Sequence, residues 1–201
     1  MVGIFRRSFV LAAVVVCMAG FASTAGAEAI KVVDEGGYEA SFDKPVTRIV
    51  ALNRYNTEFV RAVAGSKAVV GLDRDAWIDR DYWPEIDESH VVAANQGEID
   101  YESIVAQQPE LVIIPRNGAW QEAREKLAPF HIPVVVLTGW DVLKHEENIS
   151  MLGKLTGETA RADELNAFYR KYIDLLAERI KGVQSVKVYF EADRENVTVL
   201  K

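Results

Sequence analysis

The fold is decided by the stretch RIVALNRYNTE, residues 48–58, which predicts a buried strand, a polar elbow and the first turn of a helix. Residues 49–52 form a short apolar run, which is typical of a parallel strand covered on both faces. Residues 53–56 interrupt that run with turn and capping side chains. Phe59 and Val63 then recur at helical spacing. Because an open α/β sheet binds ligands beyond the carboxyl ends of its strands, the elbow is expected at a binding edge.

The rest of the chain alternates strand and helix patterns at short loop distances, which indicates an α/β fold with a central parallel sheet flanked by helices. A hairpin is predicted from two β-prone runs on either side of Gly36-Gly37. Further strands are expected at residues 68–72, 91–94, 111–114 and 133–137. Helices are expected after the capping residue Asp100, at 119–128 and at 142–155.

The last third of the chain predicts a long helix and the start of a second lobe. A helix over about residues 159–180 carries an apolar stripe and would be roughly 33 Å long, enough to bridge two lobes. Strands are predicted after it at 186–190 and 197–200, and we interpret the chain as a truncated product or a fragment. The expected organisation is an N-terminal ligand-binding lobe (28–157), a backbone helix (158–182) and an incomplete C-terminal lobe (183–201).

The composition predicts a globular protein that does not bind nucleic acid. About half of the 201 residues are apolar, which is enough for a proper core. The formal net charge is -7 at pH 7, whereas a phosphate-binding face needs clustered lysine and arginine. The histidines His90, His131 and His145 lack metal-ligand spacing, so neither a metal site nor a cofactor is predicted. Glycine-rich phosphate loops and a G-x-S-x-G elbow are also absent from the sequence.

Residues 1–27 have the three parts of a secretory signal peptide. A basic start at Arg6 and Arg7 precedes an apolar run and a small-residue cleavage site, AGA at 25–27. Cys17 is the only cysteine and lies inside this segment, so the mature chain would have no disulfide. Lipid-attachment signals have a small residue before the cysteine, and this one does not. Soluble export to the periplasm is therefore favoured over a lipid anchor.

Polar and aromatic side chains follow the predicted strands, and parallel strands bring their carboxyl ends to one edge of the sheet. Aromatic faces together with arginine side chains suit a large, flat ligand with anionic groups. Trp77 and Trp140 are interpreted as ligand platforms, whereas Trp83 and Trp120 fit a structural packing role equally well. The predicted ligand-binding residues are Arg54, Tyr55, Arg74, Trp77, Asn95, Gln96, Arg116, Asn117 and Trp140.

Three passages of the chain resemble the periplasmic solute-binding proteins of iron-chelate and cobalamin importers, often called class III binding proteins. The passages are residues 48–58 with 70–72, residues 96–113, and residues 127–134. The most specific feature is a helix that stops before Pro109 and is followed by an acid and a Leu-Val-Ile strand. The resemblance implies two lobes joined by a backbone helix, with the ligand held between the lobes and no chemistry performed on it.

The resemblance also implies docking onto an ABC permease, whose partner ATPase supplies the work. In this family an acidic residue on each lobe faces arginines of the permease, and Glu58 matches the position on the N-terminal lobe. From the sequence alone, Glu58 would instead favour the helix dipole, or act as a capping partner if Tyr55 is the N-cap. The protein would then reach the membrane only through the permease.

The sequence therefore predicts an exported binding protein for an iron-siderophore, haem or cobalamin-type ligand, and not an enzyme. Two alternatives stay open. A secreted α/β enzyme would use the same edge, where Asp73, Asp75 and Glu98 are available carboxylates without a supporting partner pattern. A non-transporting lobe would sense such a ligand and present it to a membrane protein.

Overall fold

The computed structural model describes residues 29–78, 80–191 and 197–200. The predicted signal peptide, residues 1–27 with Cys17, lies outside these described residues. Within the described part of the chain, no helix combines the length and the apolar character that crossing a membrane requires.

A hairpin precedes the main sheet, as the sequence predicts. Strand β1 (Ile30–Val33) pairs antiparallel with β2 (Glu39–Phe42). Gly37 in the connecting turn has a φ of 75°, a left-handed conformation that glycine adopts without strain. The turn also contacts the main sheet, because the carboxylate of Asp34 accepts a hydrogen bond from the N–H of Val136 at 2.8 Å.

A six-stranded sheet forms the centre of the fold and confirms the predicted α/β class. Its strands are β3 (Ile49–Ala51), β4 (Val69–Asp73), β5 (Val91–Asn95), β6 (Glu98–Ile99), β7 (Leu111–Ile114) and β8 (Val134–Val136). Their spatial order is β6-β5-β4-β3-β7-β8, and each neighbouring pair is parallel except β5 with β6. The strand order reverses at β3, and the crevice at such a switch point is where open sheets bind ligands.

Helices cover both faces of this sheet. Those in the described residues are α1 (Arg54–Ala64), α2 (Tyr101–Ala106), α3 (Trp120–Leu127), α4 (His145–Thr156) and α5 (Thr159–Arg179). The helix predicted from residue 142 begins instead as a 3-10 turn, Val142–Lys144, capped by the side chain of Asp141. The sequence prediction missed β6, because two residues give too short a pattern.

Strand β3 explains why the core strands are unbroken apolar runs. Ile49 and Ala51 pack in the core layer that includes α1 and α4. Val50 and Leu52 pack in the opposite layer, which includes α2 and α3. Successive residues of a strand point to opposite faces, so a strand covered on both sides needs an apolar side chain at every position. Burying each of the larger side chains, those of Ile49, Val50 and Leu52, contributes about 1.5–3 kcal/mol to stability.

Helix α5 changes its environment along its length. Its first half packs against α4 through the buried Ala162. Its second half exposes apolar side chains, and Leu176 is 59% exposed. Strands β9 (Val188–Glu191) and β10 (Val197–Leu200) follow as a separate antiparallel pair. The role of α5 as a bridge between lobes, and of the last residues as a second lobe, stays a prediction.

Candidate functional site

The carboxyl ends of the parallel strands meet along one side of the sheet, which we call the carboxyl edge. It comprises the loops at residues 53–55, 73–78, 95–97, 115–118 and 138–141. The loops after β5 and β7 touch directly, because the N–H of Ala119 donates to the carbonyl of Gln96 at 3.0 Å. The parallel topology thus brings the predicted ligand-binding residues to one edge, while their contacts with a ligand stay predictions.

Asn53 fixes the elbow between β3 and α1. It has a positive φ of 76°, which is uncommon for a residue other than glycine, and its side chain accepts from the N–H of Tyr55 at 3.1 Å. Its own N–H donates to the carboxylate of Asp73 at the end of β4. Asp73 also accepts from the N–H of Ala76 at 2.9 Å, and burial raises the pKa of this carboxyl despite both hydrogen bonds. Asp73 therefore joins the loops after β3 and β4.

The carboxylates of the carboxyl edge give little support for catalysis. Asp73 is fully buried and both of its oxygens are bonded to backbone N–H groups, which contradicts its use as an accessible acid or base. Asp75 and Glu98 are exposed. In the described ranges, no group of three or more His, Cys, Asp or Glu side chains is arranged to hold a metal ion.

Tyr55 and Trp140 form an aromatic pair on this edge, with ring centroids 6.4 Å apart and an interplanar angle of 64°. Tyr55 is 50% exposed and Trp140 is partly exposed. The buried amide of Asn56 joins their two loops, since it donates to the carbonyl of Leu137 at 2.8 Å and accepts from the N–H of Gly139 at 2.9 Å. A Cβ added to Gly139 would lie 2.8 Å from the Cβ of Tyr55, so the close approach of the loops requires glycine.

Arg116 is held by two carboxylates. Its Nη1 lies 2.7 Å from an oxygen of Asp141 and 3.9 Å from an oxygen of Glu35. Glu35 also accepts from the N–H and the hydroxyl of Thr138, each at 2.7 Å. The hydrogen bond to Arg116 lowers the pKa of Asp141 and raises that of the guanidinium, so this pair is charged at neutral pH.

The other two predicted arginines are also partnered. Arg54 donates to the carbonyl of Asp75 at 3.3 Å, which keeps its side chain along the carboxyl edge. Arg74 lies 3.4 Å from a carboxylate oxygen of Glu88 and 6.0 Å from the ring of Trp77. The side chain of Arg74 therefore packs along its own loop, and its predicted ligand role is not supported by its orientation.

Trp77 is not a ligand platform, and this prediction is wrong. The residue is only 6% exposed, its ring belongs to the apolar core, and its Nε1 donates to the carbonyl of Ile86 at 3.2 Å. An indole buried in this way stabilises the long loop after β4. Trp83 is buried as well, which agrees with the structural alternative for that residue. Trp120 is partly exposed and donates to the carbonyl of Arg116 at 3.3 Å.

The amide residues of the edge differ in their availability. The side chain of Asn95 accepts from the N–H groups of Gly97 and Glu98, at 2.9 and 3.1 Å, and so shapes the turn between β5 and β6. Gln96 is partly exposed and Asn117 is exposed. Of these side chains, that of Asn95 is already engaged in local structure.

Glu58 lies exposed on α1 and contacts the loop after β4. Its carboxylate accepts a hydrogen bond from the hydroxyl of Tyr82, and the guanidinium of Arg61 lies 3.5 Å from the centre of the Tyr82 ring. Burial and the hydrogen bond to Glu58 raise the pKa of Tyr82. Because Asn53 is the N-cap of α1, the interpretation of Glu58 as a capping partner with Tyr55 at the N-cap is wrong.

Sequence reasoning missed four residues that build this site. Asp141 directly follows Trp140 after a predicted strand, so its position in the chain carried a usable signal. Gly139 also lies in a loop that follows a predicted strand, and Asn56 lies in the first turn of α1. Glu35 had no such signal, because its contact with Thr138 joins residues 103 positions apart.

Comparison with known proteins shows that most of the chain matches one protein family. Residues 49–201 match the family described as periplasmic binding protein. A curated relative, the vitamin B12-binding protein of Vibrio parahaemolyticus, is 23% identical over 156 residues, which are 77% of this chain and 54% of that protein. The chain therefore spans about half the length of the curated relative it matches.

Solved structures share the fold at low sequence identity. A molybdate periplasmic binding protein of Haemophilus influenzae, bound to molybdate, has a TM-score of 0.64 at 17% identity, over 77% of this chain and 55% of that chain. A periplasmic haem-binding protein of Pseudomonas aeruginosa has a TM-score of 0.59 at 22% identity, over 68% and 47% of the two chains. At these identities the likeness establishes the fold and leaves the ligand open.

Proposed function

Because the chain belongs to the periplasmic binding protein family, we propose that it is the substrate-binding component of an ABC importer. It captures an iron-siderophore, haem or cobalamin-type ligand and delivers it to the permease. The observation that carries this proposal is the aromatic pair of Tyr55 and Trp140, which lies on the same carboxyl edge as Arg54 and Arg116. A ring face of this kind suits a large ligand with extended flat or apolar surface.

The names of similar proteins support this ligand class without selecting one ligand. The Vibrio parahaemolyticus relative is named for vitamin B12, and the Pseudomonas aeruginosa structure is of a haem-binding protein. The Haemophilus influenzae protein binds molybdate, a small oxyanion, so one fold serves ligands of very different size. A paired aromatic edge favours the larger ligands.

Two observations support an ABC importer as the partner. The Haemophilus influenzae protein is described as cognate to an ABC transporter. In this chain Glu58 presents its carboxylate on the surface of α1, at the position predicted to face arginines of the permease. We propose that the partner ATPase powers the transport, and that the predicted signal peptide exports this protein to the periplasm without a lipid anchor.

The lobe organisation predicted from the sequence is part of the proposal. The exposed apolar side chains in the second half of α5, which include Ile173, Leu175 and Leu176, support a bridging helix whose free face packs against a second lobe. Residues 28–157 then form the ligand-binding lobe described above, and residues 183–201 begin the second lobe.

The ligand is tested by a tryptophan-fluorescence titration of the purified protein with cyanocobalamin, haemin, a ferric siderophore and free ferric ion. We expect saturable quenching by one of the three large ligands. Tyr55→Ala should weaken that binding about tenfold, since an aromatic contact contributes about 0.5–1.5 kcal/mol beyond its buried area. Phe130→Ala, which removes an exposed aromatic ring away from the carboxyl edge, is the matched control. Unchanged affinity in Tyr55→Ala, or no response to any ligand, contradicts the proposal.

The docking role is tested by transport in cells. Glu58→Arg should abolish most uptake and leave ligand affinity unchanged, because the substitution repels permease arginines without touching the ring pair. Glu125→Arg makes the same charge change on the exposed face of α3 and should leave uptake intact. Normal uptake by Glu58→Arg would remove Glu58 from the docking surface.

A further inference from the structure

The three predicted arginines of the carboxyl edge are matched by acceptors of the protein itself. A guanidinium attracts anionic ligands less strongly when a nearby carboxylate offsets its charge, which applies to Arg116 and Arg74 but not to Arg54. The acceptors are the carboxylates of Asp141 and Glu35 for Arg116, the carboxylate of Glu88 for Arg74, and the carbonyl of Asp75 for Arg54.

Arg116 is the arginine with the most opposing charge around it. Asp141 lies 2.7 Å away, and the nearly buried Glu35 supplies a second negative charge at 3.9 Å. Lys144 also acts electrostatically on Asp141, but its ammonium group is paired with Glu147 at 2.7 Å. This part of the edge therefore carries more negative than positive charge, although a guanidinium lies at its surface.

Arg116 can still donate hydrogen bonds to a ligand while it is paired with Asp141. A guanidinium has five N–H donors, and the contact with Asp141 occupies only part of them. The remaining donors can bond to neutral acceptors, such as amide or hydroxamate carbonyls, while the adjacent Tyr55 and Trp140 rings contact apolar surface. An anionic ligand group would instead approach Asp141 and Glu35 and would have to displace a charge-assisted hydrogen bond.

We propose that Asp141, supported by Glu35, is a specificity-determining residue that offsets the charge of Arg116 and so selects ligands that present an uncharged face to this lobe. The inference rests on the proposed function and deepens it by naming the charge class of the ligand. It replaces the expectation, drawn from the aromatic and arginine side chains of this edge, that the ligand carries anionic groups.

The experiment compares two iron complexes of similar size and different charge. The probes are a neutral ferric trihydroxamate and a trianionic ferric tricatecholate, with cyanocobalamin as a second neutral ligand, all followed by tryptophan fluorescence. We expect the wild-type protein to bind a neutral probe more tightly than the tricatecholate. Its affinity for the neutral probe should change less than about twofold between about 0.05 and 0.5 M salt, because screening acts only on net charge attraction.

Asp141→Asn then tests the residue itself. The amide keeps an oxygen that can cap the following turn through the N–H of Leu143 but removes the charge facing Arg116. We expect the ratio of the tricatecholate affinity to the neutral-probe affinity to rise about three- to tenfold at low salt. Asp87→Asn is the matched control, because Asp87 also caps a 3-10 turn, through the N–H of Ser89, away from the carboxyl edge.

The outcomes separate this inference from the proposed function. Tight, strongly salt-dependent binding of the tricatecholate by the wild-type protein overturns the inference and leaves the binding function standing. Equal gains in Asp141→Asn and Asp87→Asn also overturn it, since the effect would then be one of overall charge. If none of these probes binds, and haemin and free ferric ion also fail to bind in the titration described above, the proposed function fails and the inference fails with it.

Discussion

Two arginine–carboxylate pairs near strand β8 use the same chemistry in opposite surroundings. In the pair Arg124–Asp34 the carboxylate is completely buried and the arginine side chain is 22% exposed. In the pair Arg116–Asp141 the exposed fractions are 52% for the arginine and 22% for the acid. Burial makes the first pair part of the scaffold, because an unpaired buried charge is costly, whereas the second pair remains open to solvent and to a ligand.

The buried pair ties the N-terminal hairpin to the sheet. Besides Arg124, Asp34 accepts from the N–H groups of Gly36, Tyr38 and Val136 at 2.8–2.9 Å. The next residue, Glu35, extends instead to the carboxyl edge, where it contacts Thr138 and Arg116. Two consecutive acids of one turn thus serve the scaffold and the candidate site.

The largest effect is expected from Asp34→Asn. The substitution keeps the shape of the side chain but leaves Arg124 without its buried counter-charge, so unfolding free energy should fall by about 3 kcal/mol. Urea unfolding followed by far-UV circular dichroism measures the change. A loss of unfolding free energy below about 1 kcal/mol would mean that the buried pair contributes no more to stability than the exposed pair does.

The next largest effect is expected from Gly139→Ala. The added methyl group would lie 2.8 Å from atoms of Asn56 and Tyr55, and such overpacking costs about 1–3 kcal/mol. It should also separate the rings of Tyr55 and Trp140, which near-UV circular dichroism detects. Gly97→Ala is the control, because its added Cβ meets only the Asn95 side chain at 3.3 Å. Equal stability of the two variants would show that the close approach of the two loops does not require glycine at position 139.

An effect of intermediate size is expected from Glu110, which lies at the amino ends of the strands, opposite the carboxyl edge. It contacts Lys44 at 2.6 Å and the N–H of Thr47 at 2.7 Å, and these bonds lower its pKa from 4.5 to about 2. Because the folded-state pKa is depressed, the stabilisation is complete above about pH 4.5 and is lost as pH falls toward 2. Glu110→Gln should cost about 1 kcal/mol at pH 7, reduced by solvent screening, and the difference from wild type should vanish near pH 2. A pH-independent difference would contradict this account.

The smallest effect on stability is expected from Asp141→Asn, the same substitution as in the buried pair. Its urea midpoint should be indistinguishable from that of the wild type, since exposed ion pairs contribute little to stability. Only ligand selectivity should respond. A marked loss of stability would mean that Asp141 belongs to the scaffold as Asp34 does.

The fold was largely predictable because short-range sequence patterns determine most of its strands and helices. The apolar run at residues 49–52, the cap at Asp100 and the stop before Pro109 each act within a few residues, and the structure places them as predicted. The parallel edge followed from topology rules alone. Strand β6 and the 3-10 turns were missed because elements of two or three residues leave no periodic pattern.

The candidate site was predictable only as a location. Trp77 and Trp140 occupy similar positions after predicted strands, yet one is buried in the core and the other is partly exposed. Sequence position cannot separate them, because the direction of a side chain in an irregular loop depends on what packs beneath it. For Trp77 that packing involves Ile86, from the other end of its own loop.

The sequence by itself determined the α/β class, the family resemblance and the edge at which ligand-binding residues gather, because helix and strand periodicities, caps and turns are local. The tertiary structure decided which side chains are available there. Asp73 is buried and connects two loops, Trp77 lies in the core, and Arg116 is paired with carboxylates. The partners of Asp73 and Arg116 are distant from them in the chain. Burial and charge pairing depend on three-dimensional neighbours, and these neighbours set the chemistry that a ligand would meet.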